Sequence, residues 1–136
     1  GYEALEGVTS AVSGYTDGEG VKPTYREITK YANKFNPMNH AEVVALREAA
    51  SALGSWRLDD HTLVVTLEPC TMCAGAAVQA RIGRIVFGAF DEKAGAVGSI
   101  WDVIRDPRAL SKIEVVSGVL ADECAVLLKD FFNKKR

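Results

Sequence analysis

Cysteine is scarce in this chain and histidine scarcer: three cysteines (Cys70, Cys73 and Cys124) stand against two histidines (His40 and His61). An odd cysteine count with two in a C-x-x-C pair argues against a disulfide scaffold. It favours metal or redox use in a reducing compartment. Long apolar runs are missing, since none approaches the ~18 residues that cross a membrane. The opening Gly-Tyr-Glu-Ala-Leu-Glu has neither the basic start nor the apolar stretch of a signal peptide. The expectation is a cytoplasmic protein with no membrane partner. Repeats and low-complexity linkers are absent too, so 136 residues read as one domain. Excess charge is lacking: 16 Lys and Arg face 18 Asp and Glu, a net −2. Nucleic-acid binders usually carry a basic face, so any such face here must be local. Arg81, Arg84, Lys93, Arg105, Arg108 and Lys112 could supply one, as could Lys129 and the tail Lys134, Lys135 and Arg136. On charge alone the same residues make a solvated surface.

What is present is ordinary core material, 48% hydrophobic residues with 25% charged, enough to bury a core without staples. Residues 8–15 alternate loosely and read as a strand. Residues 23–35 are ambiguous, a helix stripe through Tyr25, Ile28 and Tyr31 or a strand around Ile28. Residues 40–53 read as a helix with Val43, Leu46, Ala50 and Leu53 on one face, Asn39 as N-cap and Gly54 as its stop. Thr62 to Leu67 is a buried strand ended by Pro69, and residues 70–81 form a small-residue helix. Residues 84–89 and 113–119 read as strands, 90–99 as a Gly-rich loop, and 121–132 as a closing helix. Cys124 lies in the apolar stripe of that helix and reads as a core residue. Strands alternating with helices predict a layered α/β domain.

Four residues carry the chemistry. Cys70 and Cys73 are three apart at a helix start, so both sulfurs face one way. There the helix dipole and free N–H groups favour thiolate. His40 opens the other helix. An imidazole and two thiolates are zinc ligands, and three protein ligands leave one position for water, as catalytic sites do. His61 stands nine residues ahead of Cys70 at a strand start and is not counted among them. Glu42, two residues beyond His40, is placed to move protons beside the metal. H-x-E followed by P-C-x-x-C is a known signature of zinc deaminases, with the Glu as general acid and base. H-x-E alone is weak. A lone C-x-x-C also fits a redox pair or half a structural zinc knuckle. The order His-Ala-Glu, a strand, then Pro-Cys-x-x-Cys at a helix start favours a catalytic zinc, one per chain.

Longer stretches resemble the bacterial tRNA-specific adenosine deaminases. They are Asn-Pro-Met-Asn-His-Ala-Glu-Val-Val-Ala-Leu-Arg (36–47), Val-Thr-Leu-Glu-Pro-Cys-Thr-Met-Cys-Ala-Gly-Ala (65–76) and Gly-Ala-Phe-Asp-Glu-Lys-Ala-Gly-Ala-Val-Gly-Ser (88–99). Gly-Val-Leu-Ala-Asp-Glu-Cys (118–124) and Leu-Leu-Lys-Asp-Phe-Phe (127–132) extend the likeness. The resemblance implies a cytidine-deaminase-like α/β/α sandwich around a mixed sheet, and a homodimer. It implies conversion of adenosine to inosine at the wobble position of a tRNA anticodon loop. It assigns metal ligation to His40, Cys70 and Cys73, and proton transfer to Glu42. Substrate contacts are implied for Asn33, Ala41, Asp91, Lys93, Asp130 and Phe132, with one of Phe131 and Phe132 packing into the core. Residues 1–35 depart from that family, and 5–32 resemble part of an A-type peptide methionine sulfoxide reductase, which describes a hybrid joined near the histidine. The competing functions are deamination of a free base or nucleoside such as guanine or cytosine, an inactive zinc-binding or dimerisation module, and a redox protein using Cys70 and Cys73.

Overall fold

The computed structural model describes residues 10–12, 38 and 40–133. The elements run β1 (Ser10–Val12), α1 (Ala41–Leu53), β2 (Thr62–Leu67), α2 (Thr71–Gln79), β3 (Arg84–Ala89), β4 (Glu114–Val116) and α3 (Ala121–Asn133). The strands form one sheet in the order β1-β2-β3-β4, and every pairing between them is parallel. A mixed sheet was the expectation. Among the described residues antiparallel contact is confined to two isolated bridges, Cys70 with Gly95 and Val97 with Asp102. Parallel neighbours need helical crossovers that cover both faces, and α2 between β2 and β3 supplies one. The segment 23–35, read as helix or strand, lies outside the described residues. So does nearly all of the reductase-like stretch.

Alternation along β2 and β3 separates two cores. Leu63 and Val65 pair in register with Ile85 and Phe87, and all four join Leu46 of α1 and Ala74 and Ala77 of α2. Val64 and Val86 face the other way, onto Cys124 and Leu128 of α3. The result is the three-layer α/β/α arrangement expected from the sequence, with Cys124 buried as anticipated.

Local signals explain the element ends. Gly54 stops α1 in the left-handed region at φ 72°, its N–H bonded to Ala50 O, and Ser55 N–H reaches the same carbonyl. The N-cap of α1 is His40 rather than Asn39, and its side chain makes no capping bond because the imidazole turns to the cysteines. α2 ends at Gln79, two residues before the expected limit. Arg81 takes φ 58°, and Ile82 N–H bonds back to Ala77 O, the closing pattern usually served by glycine. β4 is shorter than 113–119 because Gly118 turns the chain at φ 75°.

Candidate metal centre and adjoining pocket

Two helix starts meet at the carboxyl end of the parallel sheet, where such sheets bind ligands. β2 ends at Leu67 and hands the chain through Glu68 and Pro69 to Cys70, the N-cap of α2. Cys73 follows in the first turn, fully buried, while Cys70 and His40 are half-buried. His40 Nδ1 lies 3.5 Å from Cys70 Sγ and 3.4 Å from Cys73 Sγ, and the sulfurs are 3.6 Å apart. Zinc bonds of about 2.3 Å to sulfur and 2.0–2.1 Å to nitrogen at tetrahedral angles set ligand atoms about 3.6–3.8 Å apart. The triangle therefore has the dimensions of three corners of such a site. Both cysteines are free, with no disulfide between them. Among the described residues no other His, Cys, Asp or Glu joins this group. His61 stays outside it, with a buried Nδ1 that has no hydrogen-bond partner.

Without a metal, Cys70 alone is drawn toward its ligating, deprotonated form. Hydrogen bonds from the Cys73 thiol and the His40 imidazole draw the Cys70 thiol down to about 3, against the opposing effect of burial. The pair's proton stays on Cys73, pushed up by its bond to Cys70 and by burial. The bond to Cys70 raises the His40 imidazole above its ordinary range, burial notwithstanding. Burial also raises the Glu42 carboxyl, partly offset by its own helix N–H and by His40. Glu42 is thus a carboxyl that takes a proton more readily than a solvated one.

A pocket opens beside the triangle, with His40, Glu42 and Cys70 in its wall. Of the expected substrate residues, Ala41, Asp91 and Phe132 line it. Lys93 and Asp130 are exposed and do not, and Asn33 lies outside the described residues. Helix geometry separates Asp130 from its neighbours. Leu128 is buried, Phe131 and Phe132 fall three and four residues on and share its side, and Asp130 is turned away. Both phenylalanines line the pocket, their rings edge-to-face at 5.2 Å, so neither is a purely core residue as was expected of one. Asp91 Oδ1 accepts the Lys93 and Ala94 backbone N–H groups, while Lys93 itself is exposed. Four of the candidate basic residues have surface partners within the chain. Arg84 pairs with Glu114, Arg105 with Asp102 and Arg108 with Asp106, while Arg81 lies over the Trp56 ring and bonds Val78 O.

Glu68 was read only as part of a motif, yet it is 1% exposed at the pocket wall. Its carboxylate accepts the N–H groups of Asp91, Val97 and Ser99 at 2.9–3.0 Å and the Ser99 hydroxyl. Burial alone would raise its carboxyl, but these bonds prevail and hold it below its usual range. The available sequence signal was a lone carboxylate between an apolar strand and a proline.

Comparison with known proteins gives this geometry a context. Over 97 residues the chain is 50% identical to the tRNA-specific adenosine deaminase of Bacillus subtilis, covering 71% of this chain and 60% of that protein. Over 101 residues it is 52% identical to the tRNA-specific adenosine deaminase of Haemophilus influenzae, covering 74% of this chain and 58% of that protein. The chain thus spans about three-fifths of the length of these relatives. Among solved structures, one from a study of A-to-I editing by tRNA:A34 deaminases superposes with a TM-score of 0.66 at 42% identity. It covers 71% of this chain and 70% of the other. A guanine deaminase from Nitrosomonas europaea superposes at 0.55 with 27% identity, covering 70% and 57%. The model of the MafB19-like deaminases matches residues 11–136, nearly the whole sequence. With an imidazole and two cysteine sulfurs set at metal-binding distances and Glu42 in the wall of the same pocket, the chain belongs to the MafB19-like deaminase family.

Proposed function

We propose that this protein is a zinc-dependent deaminase converting adenosine to inosine at the wobble position of a tRNA anticodon loop. The observation that carries this is the His40–Cys70–Cys73 triangle with Glu42 in the wall of the same pocket. Identity of about half to two tRNA-specific adenosine deaminases supports the choice of substrate. His40, Cys70 and Cys73 would hold one zinc ion. Bound there, zinc supplies acidification of a water molecule, whose pKa falls toward about 7.

Glu42 does the proton work. The reaction joins adenosine and water and releases inosine and ammonia. The ring nitrogen gains a proton as the amine-bearing carbon is attacked, and the leaving nitrogen then needs another. A carboxyl raised by burial can deliver the first and relay the second. Ala41, Asp91 and Phe132 form the wall against which the base would rest, with the Phe132 ring offering a stacking face. Single-stranded loops with splayed bases suit such a pocket. Lys93 and Asp130 would meet flanking nucleotides and Asn33 the base itself. A homodimer in the cytoplasm completes the proposal.

The test is incubation of the purified protein with an anticodon stem-loop carrying adenosine at the wobble position, followed by nucleoside analysis. Inosine should accumulate, and Glu42→Gln should slow it by about a hundredfold or more. Likeness to a guanine deaminase favours a free-base enzyme as the second reading. Ammonia released from guanine with the RNA untouched would select it. One zinc per chain with no turnover on any base would identify an inactive module.

A further inference from the structure

Glu68 takes no part in the proton chemistry above, yet it collects four hydrogen bonds from a segment of chain remote in sequence. Oε1 accepts from Val97 N–H at 2.9 Å and Ser99 N–H at 3.0 Å. Oε2 accepts from Asp91 N–H at 3.0 Å and from the Ser99 hydroxyl. Both ends of the 91–99 segment are therefore pinned to one carboxylate. The middle is pinned to the next residues in line. Ala96 N–H donates to Pro69 O at 2.9 Å, and Gly95 bridges Cys70. Three consecutive residues, Glu68, Pro69 and Cys70, thus hold one loop, and the third of them is a candidate metal ligand. Gly95 allows this approach: a Cβ there would run into Glu68 Oε2 and stand 2.5 Å from Asp91 O.

We propose that Glu68 is a positioning residue: it staples the 91–99 segment to the end of β2 and so fixes Asp91 in the pocket wall at a set place relative to Cys70. The substrate side of this claim rests on the function proposed above. The chemistry of the staple explains why a carboxylate occupies the position. All its partners are donors, and three are backbone N–H groups that cannot reverse. An amide there must turn its NH2 toward donors. The less costly orientation aims it at the Oε2 side, because the Ser99 hydroxyl can rotate to accept while only Asp91 N–H loses its partner.

That asymmetry sets the experiment. Hydrogen exchange is followed by NMR on the zinc-loaded full chain, without RNA. In Glu68→Gln the Asp91 amide should exchange about tenfold to a hundredfold faster while Val97 and Ser99 stay protected. In Glu68→Ala all three should accelerate. Ser99→Ala, which leaves every backbone donor in place, should move them severalfold at most. Amides in β2 and β3 should be unaffected throughout. Steady-state turnover on the stem-loop should show KM raised in Glu68→Gln by a larger factor than kcat is lowered, the mark of lost binding geometry rather than lost chemistry. Equal acceleration across β2, β3 and the loop would overturn the proposal by reducing Glu68 to general stability. So would an unchanged Asp91 amide in Glu68→Gln. A wild-type chain that leaves the stem-loop unedited would remove the proposed function, whereas the exchange pattern decides the staple by itself.

Discussion

Substituting Gly95 with alanine probes the seating of the 91–99 segment through a single added carbon. The new Cβ would lie 2.5 Å from the Asp91 carbonyl oxygen and closer still to Glu68 Oε2, where ordinary contact begins at 3.4 Å. The loop must therefore move by about 0.9 Å, judged from those two distances. The N–H bonds to Glu68 now span 2.9–3.0 Å. A shift of that size carries some of them beyond the useful limit of about 3.2 Å. A hydrogen bond to a charged group contributes about 1.5–3 kcal/mol. Partial relaxation spares some of them, so the expected loss is about 3 kcal/mol. For a chain of this size that lowers Tm by roughly 10 °C. Because Gly95 also bridges Cys70, zinc affinity should fall by at least about tenfold, as when a group supporting a metal ligand is disturbed. Gly75→Ala is the matched control. It lies in the middle of α2 with nothing within 4 Å of a built Cβ, so alanine should stabilise by about 0.5–1 kcal/mol. Urea unfolding and chelator competition on both variants read the two quantities. Gly95→Ala within about 0.5 kcal/mol of wild type, the range of an indifferent surface change, would refute the packing argument.

Phe87→Ala should cost about 3–5 kcal/mol in urea unfolding, since the ring is fully buried and meets Phe90 edge-to-face at 5.3 Å; a loss under about 1 kcal/mol would show that this core is not packed as described. Zinc uptake should be pH-dependent. In the metal-free chain the proton of the thiol pair sits on Cys73, so it must leave when the ion binds. Apparent affinity therefore rises with pH, by about tenfold per unit for that proton and more steeply where the raised His40 imidazole must give one up as well, and a flat chelator titration between about pH 6 and 8 would contradict the assigned charge states. Cys73→Ser should abolish stoichiometric zinc at neutral pH while leaving a folded chain, as metal analysis and circular dichroism would show.

Much of the frame was legible because local signals sufficed. Thr62–Leu67 and Arg84–Ala89 are apolar runs between breakers, and the structure keeps both bounds. The helix after His40 and its stop at Gly54 were readable, but its buried face runs through Ala41, Val44, Ala45 and Leu46 rather than the expected Val43, Leu46, Ala50 and Leu53, and Leu53 is exposed because the last turn extends past the sheet. The His40, Cys70 and Cys73 cluster was readable because spacing within one helical turn and the start of another helix are sequence properties. What failed depended on contacts made elsewhere. His40 displaced Asn39 as N-cap because its imidazole is drawn to two sulfurs 30 and 33 residues away. Glu68 was invisible as a staple because its partners lie 23 to 31 residues downstream. One of Phe131 and Phe132 was expected in a core that α3 reaches through Cys124 and Leu128 instead.

The central claim is that one ion is held by an imidazole and two thiolates with a fourth corner open beside Glu42. X-ray absorption at the zinc edge of the loaded protein tests it most directly. The account predicts two sulfur scatterers at about 2.3 Å and two lighter ones at about 2.0–2.1 Å. A zinc ion ringed by four sulfurs, or by none, would contradict it.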